Sequence, residues 1–343
     1  MDKRPIIAIT PGDPAGIGTE ITVSALKNTD IYKRVRPLVI CDKRSLENAL
    51  WITESNLSLT NVSSPSEGLY HSGNIDYIPI DGVRSIEPGV IKEEYGQASY
   101  NYIENAVELA IDGKVDAITT GPINKESLRA ADVPYIGHTE ILGGLTGIED
   151  PLTMFETREL RVFFLSRHVS LKNACDMVTY DRVTSYIKRC ILSMEQLGLK
   201  EPSLAVAGLN PHSGEHGLFG TEEVEAVSPA VIHARKEGYN VQGPIGADSV
   251  FHLALNGAFT AVLSLYHDQG HIAAKTLDFY RTVSLTLGLP FLRTSVDHGT
   301  AFDLAGTGKA NPVSMTEAIL VAGKYAKKRG GGTLNIISRN TET

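Results

Sequence analysis

An α/β fold built on parallel strands and divided into two lobes is what this sequence predicts. Two observations predict it. Short apolar runs alternate with longer amphipathic ones, and several amphipathic runs follow directly on an apolar run and a turn. The chain is also long: 343 residues exceed what a single core usually serves, so two lobes are expected.

Ile6-Ile7-Ala8-Ile9, entered from Pro5, reads as a first strand over 6–10. Further strands are expected over 38–41, 117–120, 162–166, 204–207 and 261–265. Helices are expected over 17–26, 100–112, 180–197, 221–237 and 314–327. The Ser/Pro-rich stretch 61–68 reads as a surface loop, and Gly330-Gly331-Gly332 with the polar residues after it as a fraying end.

Composition narrows the function classes. Hydrophobic residues make up 42% and charged residues 21%, ordinary for a globular protein and unlike a disordered one. A net charge of -8 repels polyanions and argues against nucleic acid as a partner. No apolar run approaches the roughly 20 residues that cross a bilayer, and the first residues lack a signal peptide's apolar core and cleavage site, so a cytoplasmic protein without a membrane partner is expected. Three cysteines, Cys41, Cys175 and Cys190, fit a reducing compartment without a disulfide framework or a Cys-x-x-Cys zinc site.

In parallel α/β folds ligands gather where strands end, and the chemistry-bearing motifs lie there. Thr10-Pro11-Gly12-Asp13-Pro14-Ala15-Gly16-Ile17-Gly18 joins the first strand to the first helix. Its glycines allow tight turning, but it is neither Gly-x-Gly-x-x-Gly nor a P-loop. Thr119-Thr120-Gly121-Pro122-Ile123-Asn124-Lys125 ends another strand and offers Lys125 to an anion. Gly137-His138-Thr139-Glu140 stands at an expected helix start, where Thr139 is a candidate N-cap or, with His138, a candidate donor to phosphate or carboxylate. Among ten histidines, His71 and His233 read as surface residues and His252 as helical. His168, His212 and His267 each follow an apolar strand, and imidazoles converging from strand ends are a candidate divalent-metal site.

The segment Arg293-Thr294-Ser295-Val296-Asp297-His298-Gly299-Thr300-Ala301-Phe302-Asp303, continuing to Asn311-Pro312, resembles the cofactor-binding segment of the isocitrate and isopropylmalate dehydrogenases. The opening turn Gly12 to Glu20 is similar to theirs. With Gly137 to Glu140, Asn210-Pro211-His212-Ser213-Gly214-Glu215, Tyr266-His267-Asp268-Gln269-Gly270 and the stretch Thr286 to Thr300, the chain resembles the 4-hydroxythreonine-4-phosphate dehydrogenase family over about residues 6–325.

That resemblance implies two α/β lobes with a cleft between them, not a Rossmann dinucleotide fold. Residues 1–130 plus 290–343 would form the cofactor-side lobe, and 131–289 the lobe carrying metal ligands and dimer contacts. It implies NAD-linked oxidation and decarboxylation of a four-carbon, 4-phosphorylated hydroxy acid. The expected reaction takes 4-phosphohydroxy-L-threonine to 3-amino-2-oxopropyl phosphate in pyridoxal phosphate synthesis. His168, His212 and His267 would hold a divalent metal, with His267 reaching across a homodimer interface; imidazole ligands favour zinc over magnesium, with manganese and cobalt as further options. Substrate contacts are expected at His138, Thr139, Lys275, Arg293 and position 284. NAD is expected along His298, Gly299, Thr300, Asp303 and Asn311, with Gly12 and Asp13. Asp248, Asp268 and Lys275 are the candidate proton acceptors, although acids beside a metal often orient its histidines instead.

One departure bears on the substrate. Where the family carries asparagine in a Val-Asn-x-Thr pattern, this chain reads Val283-Ser284-Leu285-Thr286. Serine has a shorter reach, which opens the alternative of a catabolic paralogue acting on D-threonate or D-erythronate 4-phosphate to give dihydroxyacetone phosphate. A non-catalytic binding protein on the same scaffold is the alternative of another class.

Overall fold

The computed structural model describes residues 2–328. The glycine run at 330–332 and the tail expected to fray lie outside the described residues. The strands are β1 (Ile6–Thr10), β2 (Arg36–Cys41), β3 (Ser58–Asn61), β4 (Asn74–Pro79), β5 (Ala117–Thr120), β6 (Leu152–Thr157), β7 (Leu160–Phe164), β8 (Leu204–Ala207), β9 (Val241–Ile245), β10 (Ala261–Ser264), β11 (Thr282–Leu287) and β12 (Leu292–Val296). The helices are α1 (Gly18–Ala25), α2 (Thr29–Arg34), α3 (Lys43–Ile52), α4 (Glu93–Ile111), α5 (Lys125–Ala130), α6 (His138–Thr146), α7 (Leu171–Asp176), α8 (Tyr180–Gln196), α9 (Ser228–Lys236), α10 (Ala247–Leu255), α11 (His267–Leu277) and α12 (Val313–Lys328). Among the described residues no helix is long and apolar enough to cross a membrane.

The chain divides into two compact units. One comprises the residues up to Pro151 and from Thr286 onward, the other Leu152–Leu285. The sequence placed the first boundary near 130. It falls at 151 because Ile141 and Leu142 of α6 are buried in the first unit's core, with Ile118 and Leu289. His138 and Thr139 therefore belong to the first unit.

In the first unit the strand order is β3-β4-β2-β1-β5-β12, every pairing parallel. A classic Rossmann sheet runs 3-2-1-4-5-6, so this is a different winding. β1 is buried along its whole length, as a parallel strand covered on both faces must be. The pairing Ile9↔Thr119, Thr10↔Thr120 and Ser295↔Thr120 brings the C-terminal ends of β1, β5 and β12 side by side.

In the second unit the order is β11-β6-β7-β10-β8-β9, with β6 and β7 antiparallel and β7, β10, β8 and β9 mutually parallel. Its core packs Val162, Phe164, Ala205, Val262 and Ala274. The ends of β7, β10 and β8 point the same way, so the turns carrying His168, His267 and His212 leave one edge of the sheet.

Two expected helices changed shape for visible reasons. The helix expected from residue 100 begins at Glu93. Gly96 hid its first turns: glycine is a weak helix former, but here a Cβ would come within 1.9 Å of the Ser127 carbonyl oxygen. The helix expected over 221–237 is a π turn at Glu223–Val227 followed by α9. Pro229 has no N–H to donate, and the Ser228 N–H reaches back to the Glu223 carbonyl.

Gly12 has φ +90°, and a Cβ there would sit 2.0 Å from the Pro122 carbonyl oxygen. Gly12→Ala is expected to cost about 3 kcal/mol or more of stability, since strained backbone and a backbone clash add; urea unfolding checks it.

Candidate active site

The first unit's turns interlock before they can bind anything. The Asp13 N–H donates to the Pro122 carbonyl (3.0 Å) and the Ile17 N–H to the Thr300 carbonyl (3.0 Å). Asp13, expected to face a cofactor, is wholly buried. Its Oδ1 accepts from the Ala15 N–H at 2.8 Å. Burial pushes its carboxyl up, while Ser127 and the Ala15 N–H pull it back. Asp13 thus shapes the turn, and Gly12 lets that turn pack on Gly121-Pro122.

The segment after β12 rests on a residue to which the sequence assigned no role. Glu20, buried in α1, accepts from the Gly306 N–H (2.7 Å) and the Gly308 N–H (3.1 Å). Burial raises its carboxyl, and these two N–H groups oppose the rise. The His298 ring Nδ1 lies 3.0 Å from the Gly299 carbonyl. Gly299, Asp303 and Asn311 are exposed, and nothing lies within 4 Å of where a Gly299 Cβ would be. This backbone is open enough to take the pyrophosphate or ribose of a dinucleotide. The Asn311 Oδ1 also accepts from the Val313 N–H at 3.0 Å, steadying the start of α12.

Beside it lies a corner suited to an anion. Arg293 is buried in β12, and hydroxyls hold its guanidinium: Nε and Nη2 reach Thr120 Oγ1 at 3.1 and 2.6 Å, and Nη1 reaches Thr286 Oγ1 at 3.0 Å. Burial drives the His138 pKa well below its usual value, and the charge of Arg293 acts in the same direction. The imidazole is therefore neutral near pH 7, and its buried Nε2 has no hydrogen-bond partner. Thr139 is not the N-cap of α6. That place is taken by Gly137, without any side-chain cap, so first-turn N–H groups stay available to an anion. Lys125 and Glu140 both approach the start of α6: Lys125 Cε lies 4.0 Å and Glu140 Oε2 3.5 Å from where a Gly137 Cβ would stand.

The second unit brings together two of the three metal-candidate histidines. The His168 and His267 rings are 5.9 Å apart, centre to centre. His267 Nδ1 lies 2.6 Å from Asp268 Oδ1, the carboxylate–imidazole pairing that orients metal ligands. His271 stacks on His267 at 3.6 Å. His212 does not join them. Its ring neighbours Phe219 at 6.4 Å, and among the described residues of one chain no three metal-binding side chains converge. His212 sits in a run of left-handed residues, His212 to His216, with φ between 43° and 78°. Two residues the sequence missed hold that loop. Glu223, buried, accepts from the Leu209 and Asn210 N–H groups at 2.7 Å each. Gln269 donates to the Gly208 carbonyl (2.7 Å) and accepts from the Leu265 N–H (2.7 Å). Asp248 is exposed in the first turn of α10, and Lys275 lies on α11 with its Nζ 5.2 Å from the Phe279 ring centre.

The family model described as pyridoxal phosphate biosynthetic protein PdxA matches residues 33–322. This chain belongs to that family. A relative from Symbiobacterium thermophilum, named "Putative D-threonate 4-phosphate dehydrogenase", is 60% identical over 328 residues, covering 95% of this chain and 98% of that one. The crystal structure of 4-hydroxythreonine-4-phosphate dehydrogenase from Klebsiella pneumoniae has a TM-score of 0.89 at 38% identity, covering 94% of this chain and 98% of that one. The enzyme of the same name from Burkholderia phymatum reaches 0.85 at 40%, covering 97% and 99%. PdxA-type chains are thus a dehydrogenase family with a shared α/β fold, and the substrates in their names differ.

The half-buried His138, with its buried Nε2, makes a pH prediction. Its folded pKa lies below the ordinary value of 6.5, so the folded state binds fewer protons than the unfolded one. Its contribution to stability is present above about pH 6.5 and is lost as pH falls toward the depressed value. Thermal midpoints taken from pH 7.5 down to 5 should fall less steeply for His138→Gln than for the parent chain.

Proposed function

We propose that this PdxA-family chain is a metal-dependent, NAD-linked dehydrogenase. In this reading it oxidises the C3 hydroxyl of D-threonate 4-phosphate and releases the carboxylate as carbon dioxide, leaving dihydroxyacetone phosphate. The observation that carries the reading is the Arg293 corner: a buried guanidinium anchored by neutral hydroxyls, beside a neutral His138 with a buried, unsatisfied Nε2. Such a corner recognises a phosphate or carboxylate, which arginine takes through two parallel hydrogen bonds.

The choice among phosphorylated acids rests on two supports. A relative 60% identical over nearly the whole chain carries the D-threonate 4-phosphate name. Ser284 stands where the resemblance leads one to expect asparagine, a substrate contact in the family. The solved structures named for 4-hydroxythreonine 4-phosphate, at 38 to 40% identity, favour that amino acid as the second reading.

Each residue has a part in this proposal. Arg293, with Lys125 and the open start of α6, receives an anionic end of the substrate, and Thr139 adds a first-turn N–H. A divalent metal on His168, His212 and His267, most simply zinc, would acidify the alcohol, and NAD along residues 298–311 would take the hydride. Asp268 orients His267 at 2.6 Å, which leaves Lys275 and Asp248 as proton acceptors. One chain holds His212 apart from the His168–His267 pair, and in this reading the set is completed across a homodimer, with His267 reaching to the second copy. Exposed Leu218, Phe219, Ile232, Ile272, Phe279 and Tyr280 in the same unit give that copy an apolar surface to cover.

NADH formation with zinc and a panel of D-threonate, D-erythronate and 4-hydroxythreonine 4-phosphates tests the reading. D-threonate 4-phosphate is expected to lead by about tenfold or more in kcat/KM, and Ser284→Asn to shift preference toward the amino acid. A lead for the amino acid in the unaltered chain would instead support pyridoxal phosphate synthesis. Silence across the panel would favour a binding protein. His212→Ala should lower activity by about a hundredfold or more and reduce bound metal in an elemental assay, with little change in thermal midpoint. A variant that kept both would sink the metal assignment.

A further inference from the structure

The contacts of Arg293 point past the arginine to the residue that aims it. Thr120 closes β5 with its side chain wholly buried, opposite Ser295 in the register of β5 and β12. Its Oγ1 accepts from both Nε and Nη2 of Arg293, at 3.1 and 2.6 Å. The same hydroxyl donates to Ser295 Oγ at 3.1 Å. Ser295 in turn gives its proton to a backbone carbonyl, that of Val296 at 2.9 Å or of Thr120 at 3.3 Å.

This chain has one direction. A hydroxyl has one proton and two lone pairs. The Ser295 proton is committed to a carbonyl, so Ser295 offers Thr120 a lone pair. The Thr120 proton goes there, and both its lone pairs turn to the guanidinium. Arg293 is thereby gripped along one edge, the Nε–Nη2 side, while Thr286 holds Nη1 at 3.0 Å. These contacts fix the plane of the guanidinium without bringing a negative charge to it. A carboxylate in place of Thr120 would hold the plane equally well but would compete with any incoming anion.

We propose that Thr120 is the positioning residue for substrate-anion binding, relaying the backbone geometry of β5 and β12 to Arg293 through the Ser295 hydroxyl. The proposal rests on the reading of Arg293 as the substrate's anion receptor. Thr120 touches no reacting atom; it sets the direction in which the arginine presents its N–H pair. The separation of 173 residues between Thr120 and Arg293 explains why no local motif announces the pairing.

The test is the calorimetric Kd of D-threonate 4-phosphate for the full chain with zinc present. Thr120→Val keeps the shape and removes the hydroxyl; Thr120→Ser keeps the hydroxyl and removes a methyl group. Arg293→Met, which keeps a long apolar stem in the buried site, serves as the reference for the arginine itself. The expected result is a Kd raised about tenfold in Thr120→Val, the scale of a lost hydrogen bond to a charged group, with Thr120→Ser within about threefold of the parent. A parent-like Kd in Thr120→Val, with binding lost in Arg293→Met, would overturn the positioning role and leave the receptor standing. Equal weakening in Thr120→Ser and Thr120→Val would also overturn it, since the loss would follow the methyl group and not the hydroxyl. A parent-like Kd in Arg293→Met, or no binding by the parent chain, would remove the receptor reading and the proposal with it.

Discussion

A guanidinium kept charged inside a protein must be held by something, and what holds it decides what it can do. Arg293 is buried in β12, where desolvation opposes its charge. The Thr120 and Thr286 hydroxyls grip it and fix its plane without adding a negative charge of their own. The field of Arg293 falls on His138, whose imidazole is held neutral by burial and by the arginine's charge. A neutral ring beside a fixed cation suits the oxyanion proposed as its ligand, and relatives of this chain are named for phosphorylated acids.

The first unit is organised to make that corner rigid. The turns after β1 and β5 lock together through Gly12, Gly121 and the Asp13 N–H. Glu20 fastens the backbone at Gly306 and Gly308 from beneath. Glycine here serves close backbone approach more than ligand contact, and the acidic residues of the opening turn serve the frame. A rigid frame matters because a misaimed guanidinium loses the two-bond geometry that makes arginine selective.

The second unit is less finished within one chain. His168, His267 and Asp268 form a compact set, but His212 stands on a left-handed loop that Glu223 and Gln269 pin in place. A loop with a run of positive φ values is costly, and it persists because Glu223 satisfies two of its N–H groups and Gln269 ties it to the turn that carries His267. Strain held by buried side chains at a histidine-bearing turn fits a functional site better than a simple connection.

Much of this was legible in the sequence. The alternation of apolar and amphipathic runs specifies parallel α/β structure, because a fully buried strand must be apolar throughout and a surface helix only on one side. β1, β5 and β8 fall where the apolar runs end, and the motifs after the strands are enough to place the chain in its family. Short partners were not legible. β12 read as part of a motif, the start of α4 was masked by Gly96, and the burial of Asp13, whose Oδ1 accepts from the Ala15 N–H, did not show. Composition and spacing determine which residues are able to do chemistry. Which of them meet is decided by strand register, and register in a parallel sheet joins residues far apart in the chain. That is why Thr120 meets Arg293, why His168 meets His267 while His212 stands aside, and why only the tertiary structure shows it.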